Sequence, residues 1–343
     1  MWTPPFTSLG PVDPIDSTVS THLLRLVRDS ARRAGVAEDQ LRAIHGTDDE
    51  TLNGELNRIP LSSLVRLWEL LAHALPVPGA GIAVVDAAPL GTLNTWDYLV
   101  TTGATLGDAL RNAQPYHRLV TAAGEAFTLD GDGDLTVGFG TTVGDPKVVG
   151  ILNEYVLAYY LRRAREATGR PVRPKLVSFS SPAPQQHSTL AAAFGTDRIE
   201  FGAAADTIVF DAADATAPLI RPDPTLAGLL RSHADLVLAT AKPIPGPMDA
   251  FRIALTAALE SGDLTLDAVA RRLLLSRRSL QRQLADQGTT WRHEVDLIRY
   301  EQAKRLLAEG RSTSTVAVQL GFTDDRALRK AFHRWNGTSP TGH

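Results

Sequence analysis

Between Arg271 and Arg282 the chain places five arginines and no acid; between residues 326 and 334 it places Arg326, Arg329, Lys330 and Arg334, again with no acid. Guanidinium groups neutralise phosphates and present paired N–H donors that match the O6 and N7 acceptors of guanine in the major groove. Each basic run is overlaid on an apolar pattern of helical period. Leu266, Val269, Ala270 and Leu273 mark one helix face, a turn follows at Leu275 and Ser276, and Leu280 and Leu284 resume the spacing, leaving Arg277, Arg278, Gln281, Arg282 and Gln283 outward. In the second occurrence Val316, Ala317 and Leu320 form the packing face, Gly321 permits the turn and Phe322 anchors it. Ala327, Leu328, Ala331, Phe332 and Trp335 then pack inward, while Arg326, Arg329, Lys330, His333 and Arg334 point out. Ser276 and Ser279 can cap exposed amides or bond a phosphate. One arginine-rich amphipathic helix is usually a solvated face; two of the same layout are better read together as a pair of helix-turn-helix units.

Other chemistries lack a constellation. Asp130-Gly-Asp-Gly-Asp134 clusters carboxylates, but the EF-hand pattern needs Gly and Glu where Leu135 and Thr141 stand, so the stretch reads as a hairpin turn. Gly138, Gly140 and Gly144 lack the Gly-Lys-Ser/Thr ending of a phosphate loop, and no helix is expected to start there. His293-Glu294 is only a fragment of a zinc motif, and there is no Gly-x-Ser-x-Gly elbow. With no cysteine, thiol nucleophiles, disulfides and cysteine-ligated metals are excluded. No catalytic residue, metal or cofactor is assigned. Trp96, Tyr98, Tyr116, Tyr155, Tyr159 and Tyr160, with His117, either line a small-molecule pocket or fill the core.

These residues need elements to hold them. The chain has 343 residues and a net charge of -3, which resolves into +4 for residues 245–343 and -7 for the rest. The division falls at Ala241-Lys-Pro-Ile-Pro-Gly-Pro247, whose prolines cannot continue a helix or a central strand. Residues 1–240 are expected to form one domain, 241–248 a linker and 249–343 a second domain, with the helix-turn-helix units at 266–286 and 313–335. Helical periodicity marks 23–34, 61–72, 106–116 and 148–167; strands are expected at 127–129, 135–139, 175–179, 198–201 and 207–210. That mixture is α+β. The second domain carries no strand pattern and reads as all-α, with helices at 249–260, 266–273, 279–286, 291–308, 313–320 and 325–335. The 18 residues of 291–308 make a rod of roughly 27 Å, long enough to hold two recognition helices about one DNA turn, roughly 34 Å, apart. Residues 1–21 lack the charged and apolar regions of a signal peptide, and residues 70–85 are broken by Pro and Gly, so a cytoplasmic location is expected.

The stretches Ser276-Arg-Arg-Ser-Leu-Gln-Arg-Gln-Leu284, Arg299-Tyr-Glu-Gln-Ala-Lys-Arg-Leu-Leu307, Val316-Ala-Val-Gln-Leu-Gly-Phe322 and Ala331-Phe-His-Arg-Trp-Asn-Gly337, followed by Ser339-Pro340, resemble the DNA-binding domain of AraC/XylS-type bacterial transcription regulators. The resemblance implies base reading by Arg278, Gln281 and Arg282 in the first unit and by Asp325, Arg326, Arg329 and Lys330 in the second; the outward-facing Arg277 and Arg334 and the phosphate-bonding Ser279 are further expected DNA contacts from the pattern itself. The sequence departs from the family pattern at Leu328, where phenylalanine is usual, and at Leu274-Leu275, where the turn more commonly holds glycine; it stops at His343, where the family often continues. More loosely, Arg58-Ile-Pro-Leu-Ser-Ser-Leu64, Thr105-Leu-Gly-Asp-Ala-Leu110, Tyr116-His117-Arg118, Phe201-Gly202 and Val209-Phe210-Asp211 resemble the arabinose-binding type of effector domain, which implies ligand sensing and dimerisation.

The expected function is therefore transcription regulation under a small-molecule effector, with Trp96, Tyr98, Tyr116 and His117 as candidate effector contacts. The expected partners are double-stranded DNA, an effector of unknown identity, a second copy of the chain and RNA polymerase, with no membrane. Two alternatives stay open here: a metabolite-transforming enzyme in the first domain, or a helical domain that binds protein.

Overall fold

The computed structural model describes residues 15, 17–75, 78–131, 133–141 and 144–336. The expectations concerning 1–14, Asp132, Gly337, Ser339-Pro340 and His343 lie outside the described residues. Two compact units divide the chain, one spanning Asp13–Ile244 and the other Pro245–His343.

The first unit is α+β. Three short strands form one sheet: β1 (Thr18–Ser20) lies antiparallel to β2 (Asn57–Pro60), and β2 pairs in parallel with Lys242–Pro243, the last strand, β8. A second sheet has the order β3-β4-β7-β5-β6, from β3 (Glu125–Gly131), β4 (Asp134–Gly140), β5 (Leu176–Phe179), β6 (Ile199–Phe201) and β7 (Asp206–Phe210). Here β3 and β4 are the expected hairpin, with Gly131 opposite Asp134, and only β5 and β6 run parallel. Alternation buries Leu135, Val137 and Phe139 on β4 and Ile208 and Phe210 on β7. That face packs on the helix Pro146–Thr168, which is apolar on most sides and buried along nearly its whole length. The helix begins two residues after Gly144, correcting the expectation that none starts there. Asp145 caps it, accepting from the amides of Lys147 at 2.8 Å and Val148 at 2.9 Å, and Pro146 occupies the first turn.

A second helix, Ala80–Asp86, presses against this one through Gly81. A Cβ there would lie 2.5 Å from the Ile151 carbonyl oxygen and 2.6 Å from the Tyr155 nitrogen, so only glycine lets the two backbones meet. The helix expected at 106–116 is shorter: Leu106–Ala113 gives way to a 3₁₀ turn, Gln114–Leu119, because Pro115 supplies no N–H to continue the α-helical bonding. The sequence reading of residues 1–240 also missed the helix Pro224–Thr240, which runs up to β8. The proline-rich connector thus starts as an edge strand, in which Lys242 and Ile244 donate to the Leu56 and Arg58 carbonyls while Pro243, between them, has no N–H to place.

The second unit is all-helical: Pro247–Glu260, Leu266–Arg272, Arg277–Asp286, Trp291–Ala308, Thr313–Gln319 and Asp325–Asn336. It has two small cores. Phe251, Leu255, Val269, Leu280 and Leu284 fill one, and Ala317, Leu320, Leu328, Phe332 and Trp335 the other. The helix Trp291–Ala308 serves both, contributing Val295 to the first and Tyr300 and Ala303 to the second, with Ile298 packed against each. Its apolar residues are shared between two partners, so they make no single stripe.

Candidate nucleic-acid interface and effector site

The two helix-turn-helix units repeat one backbone construction. At the first turn the amide of Leu273 donates to Val269, Leu274 to Arg271 and Leu275 to Ala270; at the second, Leu320 donates to Val316, Gly321 to Val318 and Phe322 to Ala317. The middle residue is left-handed in both, with φ of 54° at Leu274 and 76° at Gly321. Glycine adopts that conformation freely and leucine does not. The Leu274 side chain is 94% exposed, so no packing compensates for it. In the second unit Arg299 lies over the Phe322 ring at 5.0 Å, fixing the turn to the connecting helix.

Side-chain caps start each of the four helices. Thr265 accepts from the Ala268 amide, Ser276 from Ser279, Ser312 from Thr315 and Asp324 from Ala327. The Ser279 hydroxyl pairs with that of Ser276 at 2.8 Å, so of the two serines one caps and the other extends the cap. Beyond the turns, Arg277, Arg278, Gln281 and Arg282 are exposed on Arg277–Asp286, and Arg326, Arg329, Lys330 and Arg334 on Asp325–Asn336. Gln283 is half-buried. Their engagement differs. Arg278, Arg282, Arg326 and Lys330 have no ion pair among the described residues, whereas Arg277 is 3.6 Å from Asp267, Arg329 is 2.6 Å from Asp325 and Arg334 is 2.9 Å from Asp296. Among the described residues, then, the outward faces hold four cations without an ion pair and three paired with acids on the same or neighbouring helices.

In the first unit the candidate effector residues divide. Trp96 is 3% exposed and His117 7%, with ring centroids 6.3 Å apart edge to face, and Tyr160 lies 5.4 Å from Trp96 on the same side. The Trp96 indole N–H, both His117 nitrogens and the Tyr160 hydroxyl are buried with no hydrogen-bond partner among the described residues. Burial holds the His117 imidazole at about 4, so the ring is neutral near pH 7. Tyr155 and Tyr159 continue this aromatic row; the Tyr159 hydroxyl donates to Asp97. Tyr116 is half-buried and bonds to Asp235 on the helix Pro224–Thr240. Tyr98 stands apart, 41% exposed, its hydroxyl against Gly91.

A polar cleft adjoins Trp96. An outer hollow of about 470 Å³ and an inner slot of about 70 Å³ share His22, Glu55 and Asn94 as walls. Reasoning from the sequence missed Asn94 and His233 here and gave Arg58 no role of its own. The Asp223-Pro224 start and the spacing of Leu226, Ala227, Leu230, Ala234 and Val237 could have revealed the helix that carries His233.

Comparison with known proteins adds family evidence to this geometry. The profile of the arabinose-binding domain of AraC transcription regulators matches residues 35–219, and that of a helix-turn-helix domain matches 269–342. The chain belongs to the AraC family of transcription regulators. The ornithine utilization regulator of Pseudomonas aeruginosa is 26% identical over 299 residues, covering 85% of each chain. The HTH-type transcriptional regulator VirS of Mycobacterium tuberculosis is 26% identical over 284 residues, covering 82% of each. The crystal structure of the transcriptional regulator CdpR from Pseudomonas aeruginosa superimposes with a TM-score of 0.43 at 19% identity, over 80% of this chain and 89% of that one. This AraC-family member is a transcription regulator with an amino-terminal effector-binding domain and a helix-turn-helix DNA-binding domain. No helix among the described residues is long and apolar enough to cross a membrane.

Proposed function

We propose that this regulator binds double-stranded DNA sequence-specifically through both helix-turn-helix units, each copy of the chain reading two adjacent major-groove segments. Residues 1–240 would form the effector-binding and dimerisation domain, 241–248 the linker and 249–343 the DNA-binding domain. The observation that carries this reading is the repetition of one turn, bond for bond, ahead of two exposed helices that bear uncommitted cations. Arg278, Gln281 and Arg282 read bases in the first segment, and Asp325, Arg326, Arg329 and Lys330 in the second. Arg277, Ser279 and Arg334 contact phosphate. The recognition helices begin 48 residues apart on either side of an 18-residue helix of roughly 27 Å, a spacing that suits successive turns of one duplex.

A small-molecule effector in the first unit shifts the equilibrium between arrangements of the two DNA-binding domains of a homodimer, and so the half-site spacing they engage. The chain acts as a regulator rather than an enzyme, in the cytoplasm, where RNA polymerase is its partner at promoters. Titration of the promoter beside its own coding region, followed by fluorescence anisotropy at several salt concentrations, tests this. Affinity should fall steeply as salt rises, with a linear log–log slope; affinity that ignores salt, or equals that for unrelated DNA, would sink the proposal.

A further inference from the structure

Arg58 is 5% exposed and has no carboxylate partner among the described residues. Its Nε donates to the Thr18 hydroxyl at 3.1 Å, Nη1 to the Leu119 carbonyl at 2.6 Å and Nη2 to the Thr18 carbonyl at 3.3 Å. All three acceptors are neutral. A guanidinium has five N–H donors, so two have no acceptor among the described residues. A buried charge without a counter-ion is costly, and a strongly perturbed buried charge lining a cleft marks a candidate functional site. Desolvation, reinforced by nearby Arg118, pulls the Arg58 guanidinium down to about 10, as expected for a cation short of an anion.

This arginine lines the inner slot, together with His22, Asn94 and Trp96 on one side and His233 and Val237 of the helix Pro224–Thr240 on the other. The slot's acid, Glu55, is exposed at the rim. In the outer hollow Arg25 and Arg33 balance Asp29 and Glu55, so selectivity for charge resides in the slot. Its 70 Å³ accommodates about two waters or one carboxylate group, and the 470 Å³ outside it falls within the usual size of small-ligand pockets. Asn94, which walls both spaces, is held at φ 53° and ψ -131°, a conformation rare for any residue but glycine; its amide lies 3.2 Å from the His22 ring.

We propose that a small organic carboxylate is the effector, that it enters through the outer hollow, and that its carboxylate pairs with Arg58 in the slot. This rests on the reading of the first unit as an effector domain. The placement also supplies the coupling. Ala241, at the end of the helix that walls the slot, is followed directly by β8, and the Ile244 amide donates to the carbonyl of Arg58 itself at 2.7 Å. An anion drawing on the Arg58 side chain therefore acts on the strand from which the connector departs.

Thermal melting of the full-length protein tests the assignment with straight-chain C2–C6 carboxylates, ω-amino carboxylates and α-amino acids, each beside its primary amide. At a concentration about 100 times its Kd, a bound carboxylate should raise Tm by about 5 °C, and its amide by much less. Arg58→Met should weaken that carboxylate by about tenfold or more. If that variant fails to fold, His233→Glu, at an exposed position, should weaken the carboxylate by several-fold and leave amides unchanged. Amides that act as strongly as acids, with both variants silent, overturn the proposal and leave the effector reading standing. So does a panel without a carboxylate response when another class of metabolite changes DNA affinity. No response to any metabolite in melting or in DNA affinity overturns both.

Discussion

Arg282 and Arg278 project from the helix Arg277–Asp286 with no ion pair among the described residues, and that gives the residue-scale reading its test. If Arg282 reads a base, Arg282→Ala should cost about 1–3 kcal/mol at one position of the site and relax specificity there. Binding measured against all four bases at each position checks this; an equal loss across sequences would reduce Arg282 to a phosphate contact. In the first unit, the Glu154 carboxyl is 6% exposed, accepts from the Gly79 amide at 3.0 Å and is pushed up by burial to about 7. A carboxyl raised in the folded state favours folding while protonated, so its contribution is complete below the ordinary value of 4.5 and is lost as pH rises towards 7. Its size is on the order of 3 kcal/mol. Urea unfolding of the wild type and Glu154→Gln between pH 5 and 7.5 should show the wild type losing stability relative to the variant, with parallel curves contradicting it. His117, lowered to about 4, acts with the opposite sign: its contribution is present above 6.5 and is lost as pH falls towards 4.

At the scale of elements, the left-handed position is Leu274 in the first turn and Gly321 in the second, and the sequence departs from the family pattern at Leu274. A left-handed leucine costs about 1–2 kcal/mol relative to a right-handed one, and 94% exposure means that its side chain holds nothing together. Leu274→Gly should therefore stabilise the first helix-turn-helix by about 1 kcal/mol, after the entropy glycine gains in the unfolded chain. Amide exchange across Arg277–Asp286 should slow several-fold; unchanged or faster exchange would show that the turn is not strained. In the other direction, Gly81→Ala should destabilise the first unit by about 1–3 kcal/mol, because its Cβ meets backbone rather than a movable side chain. A Tm equal to the wild type's would contradict that packing.

How much of this was legible follows from how each element is stabilised. The six helices of the second unit could be read within a few residues, because all but Trp291–Ala308 bury one stripe against a local neighbour and all six start at a serine, threonine, aspartate or glycine cap. The sheet around β4 was legible through its alternation. By contrast, β1, β2 and β8 are two to four residues long, too short for any period to show, and they are held by partners as far away as Lys242 is from Asn57. Short helices such as Thr95–Leu99 are fixed by tertiary bonds, here the Tyr159 hydroxyl donating to Asp97. The exposed basic side chains of Arg277–Asp286 and Asp325–Asn336 could be picked out because they recur on regular helices. The slot at Arg58 could not, since it is assembled from β2, the loop at Asn94 and the helix Pro224–Thr240, which only the folded chain brings together.

For the molecule as a whole, the segregation of charge, +4 on residues 245–343 and -7 on the rest, makes one unit the natural contact for a polyanion. It also predicts that the acidic unit gains nothing from the duplex, so the salt dependence should come from the exposed cations of the two recognition helices and their neighbours. Methylation interference at guanine N7 on the bound promoter most directly tests the central claim that one chain reads two successive major-groove segments. Each copy should give two interfering patches on one face of the helix, centred about 10 bp apart, with Arg282→Ala relieving interference in one patch and Arg326→Ala in the other. A single patch per chain, or two patches that both respond to the same substitution, would contradict it.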